Sequence, residues 1–233
     1  MDILGAALQD YFEKGTTETL WVHNSYGEAE EMPVDLFFRN EAEMPDLELK
    51  ALELCRGRVL DIGAGAGSHA LILQHRNIEV TALDISTRAV AIMKKRGVKE
   101  VLEQDIFDLQ LTERYDTLLF MMNGIGVTGT VEGFTAFLQK AKTYLKPGGQ
   151  LLFDSSDISY LYQEVPMPAN AYFGEVAFAY EYKQQLGKWF NWVYLDQQTL
   201  KDVAAAAGWN SHIIMEDDSD QYLAQLTLTS GKP

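Results

Sequence analysis

Between Arg58 and Asp154, short β-rich runs alternate with runs of helical spacing, and few folds accommodate that order. RVLDI (58–62), EVTAL (79–83), TLLFMM (117–122) and LLFD (151–154) are of strand length and largely apolar. Strands of that kind are covered on both sides, as in a parallel sheet with helices above and below it. Ser86 is a natural N-cap for a helix that reaches Arg96 and stops at Gly97. Val131, Phe134, Phe137, Leu138, Ala141, Tyr144 and Leu145 share one face of another helix, which Pro147, Gly148 and Gly149 end. The pattern predicts an α/β fold built on a doubly wound sheet.

Two regions break the alternation. Residues 1–50 are acidic and aromatic, with EAEE at 28–31 and Pro33 and Pro45 as punctuation. They are expected to lay helices and loops over one end of the sheet as a lid, beginning with a helix whose apolar face is Ile3, Leu4, Ala7, Leu8, Tyr11 and Phe12. Residues 155–196 start as a loop with Pro166 and Pro168, run through YFGEVAFAYEY, turn at KQQLGK and return as WFNWVYL. Tyr172, Val176, Phe178, Tyr180 and Tyr182 alternate with Glu175, Ala177 and Glu181, which is a strand period and predicts an inserted β-hairpin. A helix over Thr199–Ala207 and two strands, about 210–215 and 222–229, complete the chain. One domain is expected, with a lid (1–50), a ligand-binding half (57–154), a hairpin cap (155–196) and a closing helix with two strands (197–233).

Charge narrows the partners. A formal net charge of -15 leaves little basic surface for neutralising phosphates, so nucleic acid is not expected as a substrate. The single cysteine, Cys55, allows no internal disulfide and suits a cytoplasmic setting. No apolar stretch approaches the roughly 20 residues that cross a bilayer, and no membrane partner is expected. The four histidines are scattered without metal-ligand spacing, so no metal is expected.

In open α/β sheets ligands bind beyond the carboxyl ends of the strands. The stretch DIGAGAG (61–67) stands at such an end. Gly63, Gly65 and Gly67 admit backbone conformations closed to other residues and allow close approach of a ligand. A dinucleotide fingerprint would place its third glycine at Ser68 and would not favour Asp61 beside a pyrophosphate. Asp61 favours a cation or an amino group instead. Asp84 ends the second strand, where a carboxylate accepts from ribose hydroxyls. Asp105 follows the third strand, where it can accept from an adenine amino group while Ile106 packs on the ring.

RVLDIGAGAG, ALDIS, EQDIFDL, YDTLLFMMNGIG and LKPGGQLLFDSSD resemble, in order and approximate spacing, the blocks of class I S-adenosylmethionine-dependent methyltransferases. The resemblance spans residues 57–156 and the final helix and strands. It implies a seven-stranded Rossmann-like sheet, mostly parallel, with an antiparallel C-terminal strand. It also implies S-adenosyl-L-methionine as cofactor and S-adenosyl-L-homocysteine as product. On that basis Asp61, Gly63, Ala64, Gly65 and Gly67 hold the methionine part, Asp84 the ribose and Ile85 the adenine. Asp105 and Ile106 read the adenine edge and face. Asn123 lines the pocket near the reacting end or is a turn former before Gly124.

Methyl transfer is an in-line displacement that depends mainly on positioning, so no catalytic side chain is singled out. Arg39, a cation among many acids, is expected to clamp the cofactor carboxylate or to pair with an acid. His23, Tyr26, Asp154, Asp157 and Tyr160 are candidates for the acceptor wall. The residues after the fourth strand, NGIG (123–126), lack the prolines and aromatic that grip a flipped base. A small-molecule acceptor is therefore expected, on a monomer or homodimer. A non-catalytic module that binds the same cofactor and a nicotinamide-dependent oxidoreductase are the alternatives.

Overall fold

The computed structural model describes residues 2–111, 113–164, 166–168 and 171–229. Met1 and residues 230–233, the ends of the expected domain, lie outside the described residues. The main sheet has seven strands: β3 (Arg58–Ile62), β4 (Glu79–Asp84), β5 (Glu100–Glu103), β6 (Tyr115–Phe120), β7 (Leu145–Ser156), β11 (Trp209–Glu216) and β12 (Gln221–Leu228). Their order is β11-β12-β7-β6-β3-β4-β5. β5, β4, β3, β6 and β7 are parallel neighbours, whereas β12 runs antiparallel between β7 and β11. Strand order reverses at β3 and β6, so their carboxyl ends open onto one crevice.

The helices follow the expected signals. α3 (Ser68–His75) starts at Gly67, and α4 (Thr87–Arg96) is capped by Ser86 Oγ on the Ala89 N–H and ended by Gly97. α5 (Val131–Tyr144) stops where Pro147 removes a donor, and α6 (Gln197–Ala206) is capped by Asp196. α5 and α6 close one face of the sheet over Leu60, Ile62, Leu118, Phe120 and Phe153. α2 (Asp46–Leu54), α3 and α4 close the other over Val59, Val80, Leu119 and Leu152. The last parallel strand is longer than expected. Its ladder begins at Leu145, because Thr117 pairs with Gln150 after an irregularity that absorbs the KPGG turn.

The two interruptions form a second sheet. β1 (Leu20–Asn24), β2 (Glu30–Glu31), β8 (Glu175–Tyr182), β9 (Gln185–Leu186) and β10 (Phe190–Val193) lie in the order β10-β8-β1-β2, with β9 on β8. The inserted segment is the expected hairpin, with Phe190 opposite Phe178. The N-terminal region is not the expected set of helices and loops alone. Besides α1 (Ile3–Lys14) it supplies β1, which pairs with β8 from Leu20 opposite Tyr182 to Asn24 opposite Phe178. LWVHN has strand character; nearby β2 covers one edge over Trp21 and Val22, but the other edge is satisfied along its full length by β8, about 158 residues away. Leu20, Val22, Asn24, Val176, Phe178, Tyr180, Tyr182, Phe190 and Trp192 share one face of this sheet, which packs on α1, on the turn after β6 and on Ile158. The second sheet is thereby set beside the carboxyl ends of the first.

Candidate functional site

The glycine loop is held by backbone bonds. The N–H groups of Gly63 and Ala64 donate to the Leu83 carbonyl (2.9 and 3.0 Å), and Gly67 donates to Ala64 (2.8 Å). Gly67 sits at φ +83° with Met93 Cγ 2.9 Å from where a Cβ would stand, so no other residue fits without strain. At Gly63, in contrast, a Cβ would meet nothing within 4 Å, and the backbone there faces open space. Arg96 reaches back from α4 and donates to the Ala66 carbonyl (2.7 Å) and Ser68 Oγ (3.2 Å), while Ser68 Oγ donates to Phe37 (2.8 Å). The loop is thus clamped from beneath and presents its open side to the crevice.

Asp61, Asp84 and Asp105 stand at three neighbouring strand ends. Asp61 is 2% exposed, and its Oδ2 has no partner among the described residues. Burial pushes its carboxyl up to about 6, with Asp84 adding repulsion and His69 and the Ala70 N–H opposing. Asp84 is also pushed up by burial; its two oxygens accept from the Gly65 and Ser86 N–H groups (2.9 and 2.8 Å). A carboxylate oxygen has two lone pairs, so each retains one for a further donor. Beyond it Ile85 projects an apolar side chain that is 69% exposed. Asp105 is half-buried and accepts from the Phe107 N–H (2.8 Å). Ile106, 6% exposed, belongs to the core and leaves Ile85 as the more open surface for a flat ring.

A buried polar group that sequence reasoning missed meets His69, whose charge reaches Asp61. Glu48 is 5% exposed; it accepts from Arg39 Nη2 (2.5 Å) and bonds His69 Nε2 (2.7 Å). Burial raises the Glu48 carboxyl, but His69 and Arg39 outweigh it and hold it below its ordinary value. Burial lowers His69, and Glu48, Asp61 and Asp154 outweigh that in the other direction. The signal was present: Glu48 falls on the buried stripe of α2 with Leu47, Ala51 and Leu52. Arg39 is accordingly an ion-pair partner, and its Nε is also taken by the Leu36 carbonyl (3.0 Å).

Asn123 and Met122 both adopt left-handed conformations, φ 55° and 62°, a costly arrangement for consecutive non-glycine residues. Asn123 N–H donates to Asp154 Oδ2 (2.8 Å), and its Oδ1 accepts from Ser156 Oγ (3.1 Å). Asp154 lies within β7 and is fully buried; Gln221 Nε2 donates to its Oδ2 (2.5 Å), and its Oδ1 has no partner among the described residues. Burial pushes this carboxyl up to about 6. Asp61 and Asp154 therefore each leave one oxygen unsatisfied, and the charge of both acts on His69.

The remaining candidates divide. Tyr26 joins Phe178, with ring centroids 6.3 Å apart, and Tyr160 is 51% exposed on the short helical turn Ser159–Tyr162. Asp157 does not join them. It caps the turn at Ser159 (2.8 Å) and opens on a separate concavity with Asp196, Glu216 and Asp220. His23 is directed elsewhere too, because it alternates with Val22 and Asn24 on β1. It bonds Glu181 Oε2 (2.7 Å) on the face that carries the exposed Trp21, opposite the Phe178 face.

The profile of the methyltransferase domain family matches residues 35–212. A solved S-adenosylmethionine-dependent methyltransferase from Bacteroides fragilis, in complex with S-adenosyl-L-homocysteine, is 39% identical, with TM-score 0.91 over 98% of this chain and 95% of that one. The chain belongs to the class I S-adenosylmethionine-dependent methyltransferases. Its cofactor is S-adenosylmethionine, and it is an enzyme of methyl transfer. The fold of this methyltransferase also resembles one from Clostridium acetobutylicum (14% identity, TM-score 0.59, 81% and 94% covered). The sugar N-methyltransferase KedS8 from a Streptoalloteichus species is similar as well (16%, TM-score 0.58, 85% and 94%). No curated protein matches the sequence.

Proposed function

We propose that this methyltransferase passes the methyl group to a small-molecule acceptor, with the residues at the strand ends dividing the cofactor among them. The observation that carries the assignment is the unpartnered Oδ2 of buried Asp61 beside the open backbone of Gly63. A buried carboxylate oxygen without a donor is costly, and the α-ammonium of the cofactor is the donor it lacks. The loop of Gly63, Ala64, Gly65 and Gly67 lies along the methionine part. Asp84 receives the ribose hydroxyls on its spare lone pairs, Ile85 covers the adenine, and Asp105 with Ile106 takes the adenine edge and face. Asn123, held by Asp154 and Ser156, borders the reacting end. Arg39 shares the cofactor carboxylate through the donors left free by Glu48 and Leu36.

When bound, the cofactor supplies a methyl group made electrophilic by its sulfonium sulfur. The chain's own work is to align the acceptor behind that methyl and to exclude water, which can supply several kcal/mol. The second sheet and the Tyr160 turn stand on the acceptor side. An acceptor of small size fits the strongly acidic surface and the kind of substrate named for KedS8. No described helix is long and apolar enough to cross a membrane, and the lone, buried Cys55 fits a reducing cytoplasm.

Titration calorimetry with S-adenosyl-L-homocysteine tests the assignment. Asp84→Ala is expected to weaken binding at least about tenfold, the loss of hydrogen bonds to a charged group. Unchanged affinity in that variant would remove the ribose role. Unchanged affinity in Arg39→Ala would remove Arg39 from the cofactor site.

A further inference from the structure

The acceptor side has a chemistry of its own. Phe178 is the hub of an aromatic group, with the rings of Tyr26, Trp192 and Tyr194 each 6.3 Å from it between centroids. Tyr180, two residues on along the same face of β8, extends the group to Asp84, whose charge reaches its phenol. Trp192 lies against Gly126, where a Cβ would fall 2.0 Å from its Nε1, and this places the group directly at the turn that follows Asn123. Asn24 shapes the rim: its Oδ1 accepts from the N–H groups of Tyr26 and Gly27, and its Nδ2 lies 3.4 Å from Glu30 Oε1.

Two features of this group point to a ligand. The hydroxyls of Tyr144, Tyr162, Tyr172, Tyr182 and Tyr222 are bonded inside the fold. Those of Tyr26, Tyr180 and Tyr194, like those of Tyr11, Tyr115 and Tyr160 elsewhere, are bonded to nothing among the described residues, yet they are not sealed from solvent as the orphaned Trp192 Nε1 is; only these three are gathered around one group. Among the described residues the group also contains no cation. The cations that lie over aromatic rings, Arg58, Lys95, Arg96 and Lys183, sit on Tyr115, Phe12, Phe38 and Tyr182 instead. Electron-rich ring faces with Glu30 and Asp84 nearby form a field that favours a positive guest.

The attacking atom is constrained as well. An aliphatic hydroxyl loses its proton about as reluctantly as water, near pKa 15.7, and needs a strong base. The phenols here are held neutral by burial, and His23 is on the opposite face. An amine, ordinarily near pKa 10.4, needs no such base.

Resting on the methyl-transfer reading above, we propose that the acceptor is a small primary or secondary amine, received as its ammonium form by the partly exposed rings of Tyr26, Trp192 and Tyr194 around buried Phe178, with Glu30 as counter-charge. The ammonium sheds one proton to solvent water. Its lone pair forms the N–C bond to the methyl while the S–C bond breaks and leaves its electron pair on sulfur. The product keeps the positive charge as a methylated ammonium, and the thioether leaves neutral.

The test begins with calorimetric binding of S-adenosyl-L-homocysteine, since failure there would remove the methyl-transfer reading, and the proposal with it, before any amine is added. Matched pairs are then titrated onto the saturated protein and offered methyl-labelled cofactor: benzylamine and benzyl alcohol, cyclohexylamine and cyclohexanol, glucosamine and glucose. At least one amine is expected to bind about tenfold more tightly than its alcohol and to take up label. Glu30→Gln, a change at an exposed position, and Tyr194→Leu are expected to weaken that amine several-fold without changing homocysteine-product binding. Label on an alcohol but not its amine, amine binding indifferent to both variants, or no amine binding at all would overturn the proposal.

Discussion

Asp61→Asn separates what the site costs the fold from what it gives the cofactor. The Asp61 carboxyl is 2% exposed and is displaced from 3.8 to about 6 by burial first and by Asp84 next. A tenfold change in proton affinity corresponds to about 1.4 kcal/mol, so ionised Asp61 costs the folded protein about 3 kcal/mol at neutral pH. The sign follows from linkage. Between pH 3.8 and about 6 the native state binds more protons than the unfolded one, so this group's contribution to stability falls as pH rises through that window. Asparagine removes the charge and leaves an unpaired amide in place of Oδ2, which returns about 1–2 kcal/mol of the gain. Urea unfolding in the absence of cofactor should therefore find Asp61→Asn about 1–2 kcal/mol more stable than the parent at pH 8. It should be no more stable at pH 3.5, where the parent is protonated when folded and mostly protonated when unfolded. The same variant should bind S-adenosyl-L-homocysteine about tenfold to a hundredfold more weakly. A variant less stable than the parent at pH 8 would refute the argument that Asp61 is held in a strained, ligand-seeking state.

Three further outcomes are expected. Gly67→Ala combines a left-handed alanine with a Cβ 2.9 Å from Met93 Cγ and should lower stability by about 2–4 kcal/mol in thermal unfolding. Glu48→Gln strips the counter-charge from buried Arg39 and His69 and should cost about 3–5 kcal/mol. Because Glu48 is held below and His69 above its ordinary value, that loss should be greatest between the two titrations and should shrink toward low and high pH. His23→Gln should leave turnover within about threefold of the parent, since His23 and Glu181 lie on the outer face and share only a part-exposed hydrogen bond. A large loss of turnover, measured with any accepted substrate, would show that the second sheet is oriented otherwise.

Local signals account for the parts of the site that were legible in advance. Asp61, Gly63, Gly67 and Asp84 are fixed by where two strands end and where α3 begins, and each of those boundaries is written within a few residues. Arg39 was placed among the acids, but its partner was not, because Glu48 is buried between Arg39 and His69 only after α2 and α3 pack on the same side of the sheet. The strand alternation of LWVHN and EVAFAYEY gave each run two faces without saying which one turns inward.

The sequence by itself determined the doubly wound core, the glycine loop and the three acids at its rim, since strand and helix periods, caps and turns are short-range. Only the tertiary structure decided that Leu20 pairs with Tyr182, that the lid and the inserted hairpin are one sheet, and that its aromatic face meets the turn at Gly126. Pairing between strands joins residues far apart in the chain, and no local preference encodes it; burial of Phe178 and Val176 against Ile158 selects the register and the face.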